Sequence, residues 1–195
     1  MKSMNTISPS NQGTQTEQKN KMNSSTICSV FLGLILISQY PLAANARSIR
    51  GTLISIVCRE SSNKAECNNI LRSIPQATHV KNFHGLAKAV LEMAIYKAAA
   101  GQSFLKTLAV STNSPALTKC ANNDYDNVVM SFKSSLGELE EDYGTSSYDA
   151  KIAGDGSDQC ESAMVAANDV NPQVTALNHQ ISFYSELAFL VTRNL

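Results

Sequence analysis

The chain has 195 residues and a mass of 21.0 kDa, and its 16 basic and 16 acidic residues give a formal net charge of zero. This length suits one domain, alone or with a targeting segment. The charge balance argues against a general nucleic-acid binder, which carries a basic surplus. No apolar run reaches the roughly 20 residues that a membrane-spanning helix needs, which excludes a protein with several spans.

Residues 1–46 have the pattern of a polar leader followed by a signal peptide. The leader lacks an apolar period, which predicts disorder. An apolar run from Ile27 to Ile37 follows two lysines, and the small-residue triplet Ala44-Asn45-Ala46 comes after it. We therefore predict cleavage after Ala46 and a secreted chain of residues 47–195. Met22 is an alternative start, and a buried core helix or an uncleaved anchor is the competing interpretation of the run.

Loss of the signal peptide leaves four cysteines, which are Cys58, Cys67, Cys120 and Cys160. An even number of cysteines in a secreted chain predicts two disulfides, and four cysteines allow three connectivities. There is no C-x-x-C pair, and the histidines have no ligand spacing, so we expect no metal site. The histidines are His79, His84 and His179.

Two short helices are predicted first in the secreted chain, at about residues 49–59 and 64–73. A turn rich in Ser and Asn separates them, and Pro75 then breaks the chain. We interpret residues 47–76 as a helical hairpin that is too small to hold its own core and is appended to the part that follows.

Four longer amphipathic helices are predicted over residues 80–195. Apolar residues recur there at intervals of three and four, and nothing alternates with a period of two, so we expect an all-α fold. A Ser-Pro and an Asn-Pro pair mark the starts of the second and fourth helices. The third, at about residues 147–168, is the least apolar and is weakened by Gly154 and Gly156. We expect an up-down-up-down four-helix bundle.

This layout favours one pairing of the cysteines. Cys58 and Cys67 flank the turn of the hairpin, Cys120 begins the second bundle helix, and Cys160 lies within the third. Antiparallel neighbours bring the last two together if the intervening turn lies near residue 144. We therefore predict the disulfides Cys58–Cys67 and Cys120–Cys160. A crossed pairing is the alternative, and it would require the hairpin to reach the middle of the bundle twice.

The secreted chain carries no evident catalytic set. Disulfides account for its cysteines, and it has neither a G-x-S-x-G elbow nor a phosphate-binding glycine loop. The acidic run from Glu138 to Asp142 is interpreted as a solvated helix end, and His84 and His179 as packed or surface residues. Tyr125 and Tyr184 fall on apolar stripes and are predicted to lie in the core. We expect a protein that is not an enzyme and uses no cofactor.

Several patterns around the cysteines occur together. The hairpin carries C-x8-C, the third cysteine lies in Leu117-x-x-Cys120-x-x-x-x-Tyr125-x-x-x-Val129, and Tyr148-Asp149-Ala150-Lys151 precedes Cys160-Glu161. Over Leu53 to Leu195 the chain therefore resembles the plant invertase and pectin methylesterase inhibitor family. The resemblance implies a helical hairpin on a four-helix bundle, two disulfides, and an extracellular location in the cell wall (apoplast) or, alternatively, the vacuole.

The resemblance also implies that the protein inhibits a secreted carbohydrate-active enzyme through a protein–protein complex. We expect pectin methylesterase as the target, because that activity is common in the family. Acid invertase of the cell wall or vacuole is the alternative, since Arg193-Asn194-Leu195 is similar to the end of some cell-wall invertase inhibitors. A secreted structural or signalling module without an enzyme target is the more distant alternative.

Asp149 and Lys151 are the expected partner contacts. The resemblance places partner-contacting residues of invertase inhibitors near this position, although the proline and the aromatic residue of the family's Pro-Lys-Phe motif are absent here. Both residues follow the polar turn of residues 144–147, where the third bundle helix is expected to begin, so we expect both to be solvent-exposed. The competing interpretation is an acidic residue near a helix N-terminus beside a solvated lysine.

Overall fold

A computed structural model describes the backbone of residues 41–195 and the side chains of residues 51–195. The leader and the apolar run of the predicted signal peptide lie outside the described residues. The predicted cleavage point after Ala46 falls within a described helix, and the division into residues 1–46 and 47–195 stays a prediction. None of the described helices is both long and apolar enough to cross a membrane.

The described part of the chain is mainly helical and contains no strand. Its α-helices in chain order are α1 (Pro41–Glu60), α2 (Lys64–Ser73), α3 (Phe83–Thr112), α4 (Pro115–Lys119), α5 (Tyr125–Gly137), α6 (Tyr143–Ala166) and α7 (Pro172–Thr192). The shorter elements are a 3₁₀ turn at Gln76–Thr78, a π-helical turn at Cys120–Asp124 and a 3₁₀ turn at Glu138–Glu140.

The predicted four-helix bundle with an N-terminal hairpin is confirmed. The first bundle member is α3, and the second is the continuous rod of α4, the π turn and α5. The third and fourth are α6 and α7. Both α3 and α6 pack against α5 and α7, so that each member contacts two others. Successive members run antiparallel and are joined by short connections, which gives the expected up-down-up-down order.

Side-chain caps fix where the bundle helices begin. The hydroxyl of Ser114 accepts the Leu117 N–H at 3.1 Å, and the amide oxygen of Asn171 accepts the Gln173 N–H at 2.9 Å, which confirms the two predicted starts. The predicted start of α6 was wrong. It begins at Tyr143, four residues earlier than expected.

The early start of α6 follows from a cap in the acidic run. The carboxylate of Asp142 accepts the N–H of Thr145 at 3.0 Å and its hydroxyl at 2.8 Å. The turn before α6 therefore lies at residues 138–142 and not near residue 144 as expected. Within this run Leu139 is buried, whereas Glu140 and Asp142 are exposed, so most of the run is a solvated helix end.

One hydrophobic cluster joins the hairpin to the bundle within the compact unit Ala43–Leu195. The hairpin contributes Val57 and Leu71, both fully buried. Tyr125 and Tyr184 are 0% and 4% exposed, as predicted for core residues. At the turn between α1 and α2, Ser62 also donates hydrogen bonds to Glu186 of α7.

Two disulfides fasten this architecture, as expected for the fold. Cys58 is bonded to Cys67 across the hairpin turn, with the Cα atoms 5.5 Å apart. Cys120, at the start of the π turn, is bonded to Cys160 on α6, with the Cα atoms 4.8 Å apart. The structure therefore contains the uncrossed pairing.

The two glycines of α6 do not interrupt it, because the helix runs through both of them without a break. Gly154 and Gly156 are buried at close helix–helix contacts. A Cβ at position 154 would lie 2.9 Å from the Ser185 hydroxyl, and one at position 156 would lie 2.5 Å from the Asp124 carbonyl oxygen. The poor apolar stripe of α6 thus coincides with close packing through small residues.

Candidate functional site

An exposed row of charged side chains runs along the outer face of α6. Lys151, Asp155 and Asp158 are spaced by four and three residues, which places them on one side of the helix. We call these three residues the α6 row. A groove separates this row from α7, and its further lining residues are Gly154, Ser182, Ser185, Glu186 and Phe189.

The ring of Phe189 lies beneath two cations at one end of the α6–α7 groove. The Lys151 ammonium nitrogen is 5.7 Å from the ring centroid, and the guanidinium carbon of Arg193 is 5.3 Å from it. Both distances fall within the range of cation–π attraction, which contributes about 0.5–1 kcal/mol at exposed sites. The Lys151 side chain is thus drawn across the groove towards α7 while it stays exposed.

Asp149 does not lie in this groove. Side chains that are two positions apart on an α-helix point in directions about 200° apart. Asp149 and Lys151 therefore point to different sides of α6. Asp149 is half-buried, whereas Lys151 is exposed. The expectation that both are solvent-exposed was right for Lys151 and wrong in part for Asp149, which is half-buried on another side of the helix.

Ser185 links α7 to the backbone of α6 beneath Lys151. Its hydroxyl accepts a hydrogen bond from the Gly154 N–H at 3.0 Å. The same hydroxyl is the donor towards two carbonyl oxygens, that of Ala150 at 2.8 Å and that of Lys151 at 2.9 Å. The missing side chain of Gly154 allows this approach. Sequence reasoning missed Ser185, and its only signal was a polar residue at a position where the apolar period of α7 continues on either side.

Two members of the α6 row, Asp155 and Asp158, are neighbouring carboxylates. Burial, and then the negative charge of Asp155, raise the pKa of Asp158 above its usual range, against a hydrogen bond from Ser182 that lowers it. On the other side of the row, Lys119 lines a second recess together with Asp155 and Asp158. The two carboxylates therefore lie between Lys151 in the groove and Lys119 in the second recess.

Lys119 is itself engaged by a buried carboxylate. Its ammonium donates to the two oxygens of Asp124 at 2.6 and 2.8 Å, and the Asp124 side chain is 2% exposed. The five-residue spacing between them matches the wider π turn, which brings the two groups onto one side of the rod. Lys119 therefore neutralises a buried charge.

The hairpin turn contacts α7 at the end of the groove that holds Phe189. The carboxylate of Glu186 accepts the Ser62 N–H at 2.6 Å and the Ser62 hydroxyl at 2.5 Å. Arg193 forms an ion pair with Glu60. The hairpin thus fixes one groove residue, Glu186, and one of the two cations that flank Phe189.

The remaining predicted candidates do not gather at a site. His84 is half-buried with its Nε2 2.9 Å from a carboxylate oxygen of Glu140, and His79 and His179 are exposed. Among residues 51–195, no group of three or more His, Cys, Asp or Glu side chains is arranged to hold a metal ion. The α6 row and its groove are therefore the candidate site of the described part.

Comparisons with known proteins agree with this fold. A crystal structure of a mutant form A of a pectin methylesterase inhibitor from Arabidopsis is similar to the chain with a TM-score of 0.65 and 19% identity, covering 73% of this chain and 96% of that one. A second, of a pectin methylesterase inhibitor from Arabidopsis thaliana, has a TM-score of 0.53 and 18% identity, covering 73% and 95%. At these identities the likeness shows a shared fold.

A comparison with curated proteins gave no match. The family model for the plant invertase/pectin methylesterase inhibitor matches residues 52–189, which include all four paired cysteines, the α6 row and most of α7. This match covers well over half of the chain. The chain therefore belongs to the plant invertase/pectin methylesterase inhibitor family.

Proposed function

We propose that this protein is a secreted inhibitor of a plant pectin methylesterase and that it acts by forming a protein–protein complex. The family match over residues 52–189 is the observation that carries the proposal. Both similar crystal structures are of pectin methylesterase inhibitors, which favours this target. Acid invertase is the second candidate, because Arg193-Asn194-Leu195 is similar to the end of some cell-wall invertase inhibitors. On either target the protein is an inhibitor and not an enzyme.

The rigidity of the bundle supports an inhibitory role. Association costs free energy when side chains and loops must be ordered, and a preorganised surface lowers that cost. Here the Cys120–Cys160 disulfide and the hydrophobic core hold the bundle helices in place. The α6 row is thus presented on a helix that needs little ordering when a partner binds.

We assign Lys151 as a partner contact in the α6–α7 groove. It is exposed, it lies over Phe189, and it is the cation of the α6 row. On binding, its ammonium would face a carboxylate of the target and lose water. Asp149, which points to another side of α6, is the second proposed contact. Charged pairs desolvated at the centre of an interface contribute more than pairs at its rim, so we expect Lys151 to matter more than Asp149.

The contact is tested by inhibition titrations of Lys151→Ala against a pectin methylesterase and an acid invertase. We expect inhibition of the target to weaken at least about tenfold, equivalent to about 1.4 kcal/mol. Lys133→Ala, which removes an exposed lysine from α5, is the matched control and should leave inhibition unchanged. Asp149→Ala should have a smaller effect. If Lys151→Ala inhibits as well as the unaltered protein, the contact surface lies elsewhere.

We also propose that the active form is residues 47–195, released in the apoplast or, for an invertase inhibitor, in the vacuole. The apolar run and the triplet ending at Ala46 support this processing. N-terminal sequencing of the protein secreted by plant cells should begin at Arg47. A secreted product that retains the apolar run would contradict the proposed cleavage.

A further inference from the structure

We propose that Ser185 is a positioning residue for partner binding: it holds the backbone of α6 at Lys151 so that, together with Phe189, it presents the lysine in a preorganised position. The inference rests on the proposed function, because it takes Lys151 as a partner contact. It assigns to Ser185, a buried residue, a binding role that acts through Lys151.

The first observation is the hydrogen-bonding position of the Ser185 hydroxyl. It lies within 2.8–3.0 Å of the Ala150 and Lys151 carbonyl oxygens and of the Gly154 N–H. In a regular α-helix the Gly154 N–H pairs with the Ala150 carbonyl, so the hydroxyl sits beside one rung of the helical ladder. The α6 backbone at Lys151 is therefore tied to α7 and not only to its own helix.

The second observation is that Phe189 lies one turn after Ser185 on α7. Residues four apart share one face of a helix, so Ser185 and Phe189 both face α6. One contacts the backbone carbonyl of Lys151 at 2.9 Å, and the other lies 5.7 Å from its ammonium nitrogen. The lysine is thus restrained near both ends of its length by a single neighbouring helix.

A restraint on the Lys151 backbone and a second one on its ammonium group have a consequence for binding. A lysine normally loses rotamer freedom when a partner fixes it, and this loss opposes association. A lysine already held in the binding geometry loses less. Release of either restraint should therefore weaken the complex even though the ammonium itself is retained, and mostly through faster dissociation.

A purely structural role for Ser185 predicts a different pattern, and Ser135 provides the matched control. Ser135 is also buried, and its hydroxyl donates to the Ser146 carbonyl of the same helix α6 at 2.8 Å. Ser135→Ala and Ser185→Ala each remove one buried interhelical hydroxyl. Both should lower the melting temperature, but only Ser185→Ala alters the restraint on Lys151.

The test is a double-mutant cycle between positions 185 and 151, measured as dissociation constants for the target enzyme with protein secreted from the full chain. We expect Ser185→Ala to weaken binding about fivefold in the unaltered background and less than about twofold in the Lys151→Ala background. Ser135→Ala should change binding less than about twofold in both. An equal effect of Ser185→Ala in the two backgrounds, or none in either, would overturn the positioning role while the Lys151 contact stands.

Phe189→Leu is the second variant, because the side chain is half-buried and leucine keeps the groove filled. It should show the same dependence on Lys151 if Ser185→Ala proves too unstable to measure. NMR relaxation of the Lys151 ε-methylene group supplies a readout that needs no enzyme. Both variants should increase its motion, and unchanged motion would overturn the inference. An unaltered protein that binds neither enzyme refutes the proposed function, whatever the relaxation shows.

Discussion

Gly156 lies so close to Asp124 that a Cβ at position 156 would be 2.5 Å from the Asp124 carbonyl oxygen. One helical turn away on both elements, Cys160 is bonded to Cys120. The π turn and α6 are therefore joined at two successive turns, once by a disulfide and once by the absence of a side chain. This seam holds the α6 row against the rest of the bundle.

Gly156→Ala should destabilise the protein although alanine is the better helix former. The added methyl group meets the Asp124 backbone and the Val128 side chain, both under 3.0 Å away, and overpacking of this kind typically costs about 1–3 kcal/mol. For a chain of this size we expect a fall in melting temperature of roughly 2–12 °C. Gly137→Ala is the control, since a Cβ there meets nothing within 4 Å. An equal response of the two variants would contradict the seam.

Loss of the Cys120–Cys160 disulfide should cost more than loss of Cys58–Cys67. The bridges span 40 and 9 residues, and the loop-entropy model gives about 4 and about 2.6 kcal/mol respectively. Replacement of each pair by serines avoids unpaired thiols. Thermal unfolding of the two double variants should show the larger fall for the Cys120–Cys160 pair, and the reverse order would count against this assignment of their roles.

Tyr125→Phe should destabilise the core through a hydrogen bond. The Tyr125 hydroxyl donates to the Asn178 amide oxygen at 2.9 Å, and the Asn178 amide in turn donates to Glu161. Phenylalanine leaves the buried amide oxygen without its donor, which typically costs about 1–3 kcal/mol. Chemical unfolding at neutral pH measures this loss. A variant as stable as the unaltered protein would show that the bond contributes nothing.

The same tyrosine should control stability at high pH. Burial, and then the negative charge of Glu161, raise the pKa of Tyr125 well above its usual range. Because the pKa is higher in the folded state, the neutral Tyr125 hydroxyl contributes its full stability below the unfolded pKa of about 10. That stability is lost as the pH rises above about 10 towards the folded pKa. Denaturation midpoints between pH 8 and 11 should fall less steeply in Tyr125→Phe. Tyr184, whose pKa burial also raises, should leave some slope in the variant.

Asp158→Asn should stabilise the protein at neutral pH. Burial and the neighbouring Asp155 raise the pKa of Asp158, so the ionised carboxylate is disfavoured in the folded state. Because the pKa of Asp158 is higher in the folded state than in the unfolded state, the unaltered protein becomes less stable as the pH rises from about 4 through the folded pKa. The gain in melting temperature should be present at pH 7 and vanish near pH 3. A gain of equal size at both values would contradict the electrostatic cause.

The bundle was predictable because its signals are local. Apolar residues repeat with the helical period, and the caps Ser114 and Asn171 precede prolines, so the number and order of the bundle helices follow from the chain alone. The start of α6 was missed because its cap, Asp142, lies in a run of acidic residues where one carboxylate does not stand out.

The candidate site was predictable only in part, because it depends on what faces each residue across a contact. Lys151 was identified from the sequence, but its place over Phe189 required the register of α7 against α6. In the sequence alone, Gly154 indicates a weak helix. In the structure it lies beside Ser185, where it permits a close contact between two helices. Asp149 was grouped with Lys151 because both follow the polar turn of residues 144–147 and match the position of partner contacts in the family, whereas a helix directs them to different sides.

Inhibition assays on two enzymes test the central claim most directly. Protein secreted from the full chain would be titrated into a plant pectin methylesterase and, in parallel, into an acid invertase, with complex formation followed by size-exclusion chromatography. The account predicts dose-dependent loss of pectin methylesterase activity with a comigrating complex and no effect on invertase. Inhibition of invertase alone would show that the protein is an invertase inhibitor and that the proposed target is wrong. Neither inhibition nor binding of either enzyme by the folded, disulfide-bonded protein would contradict the account.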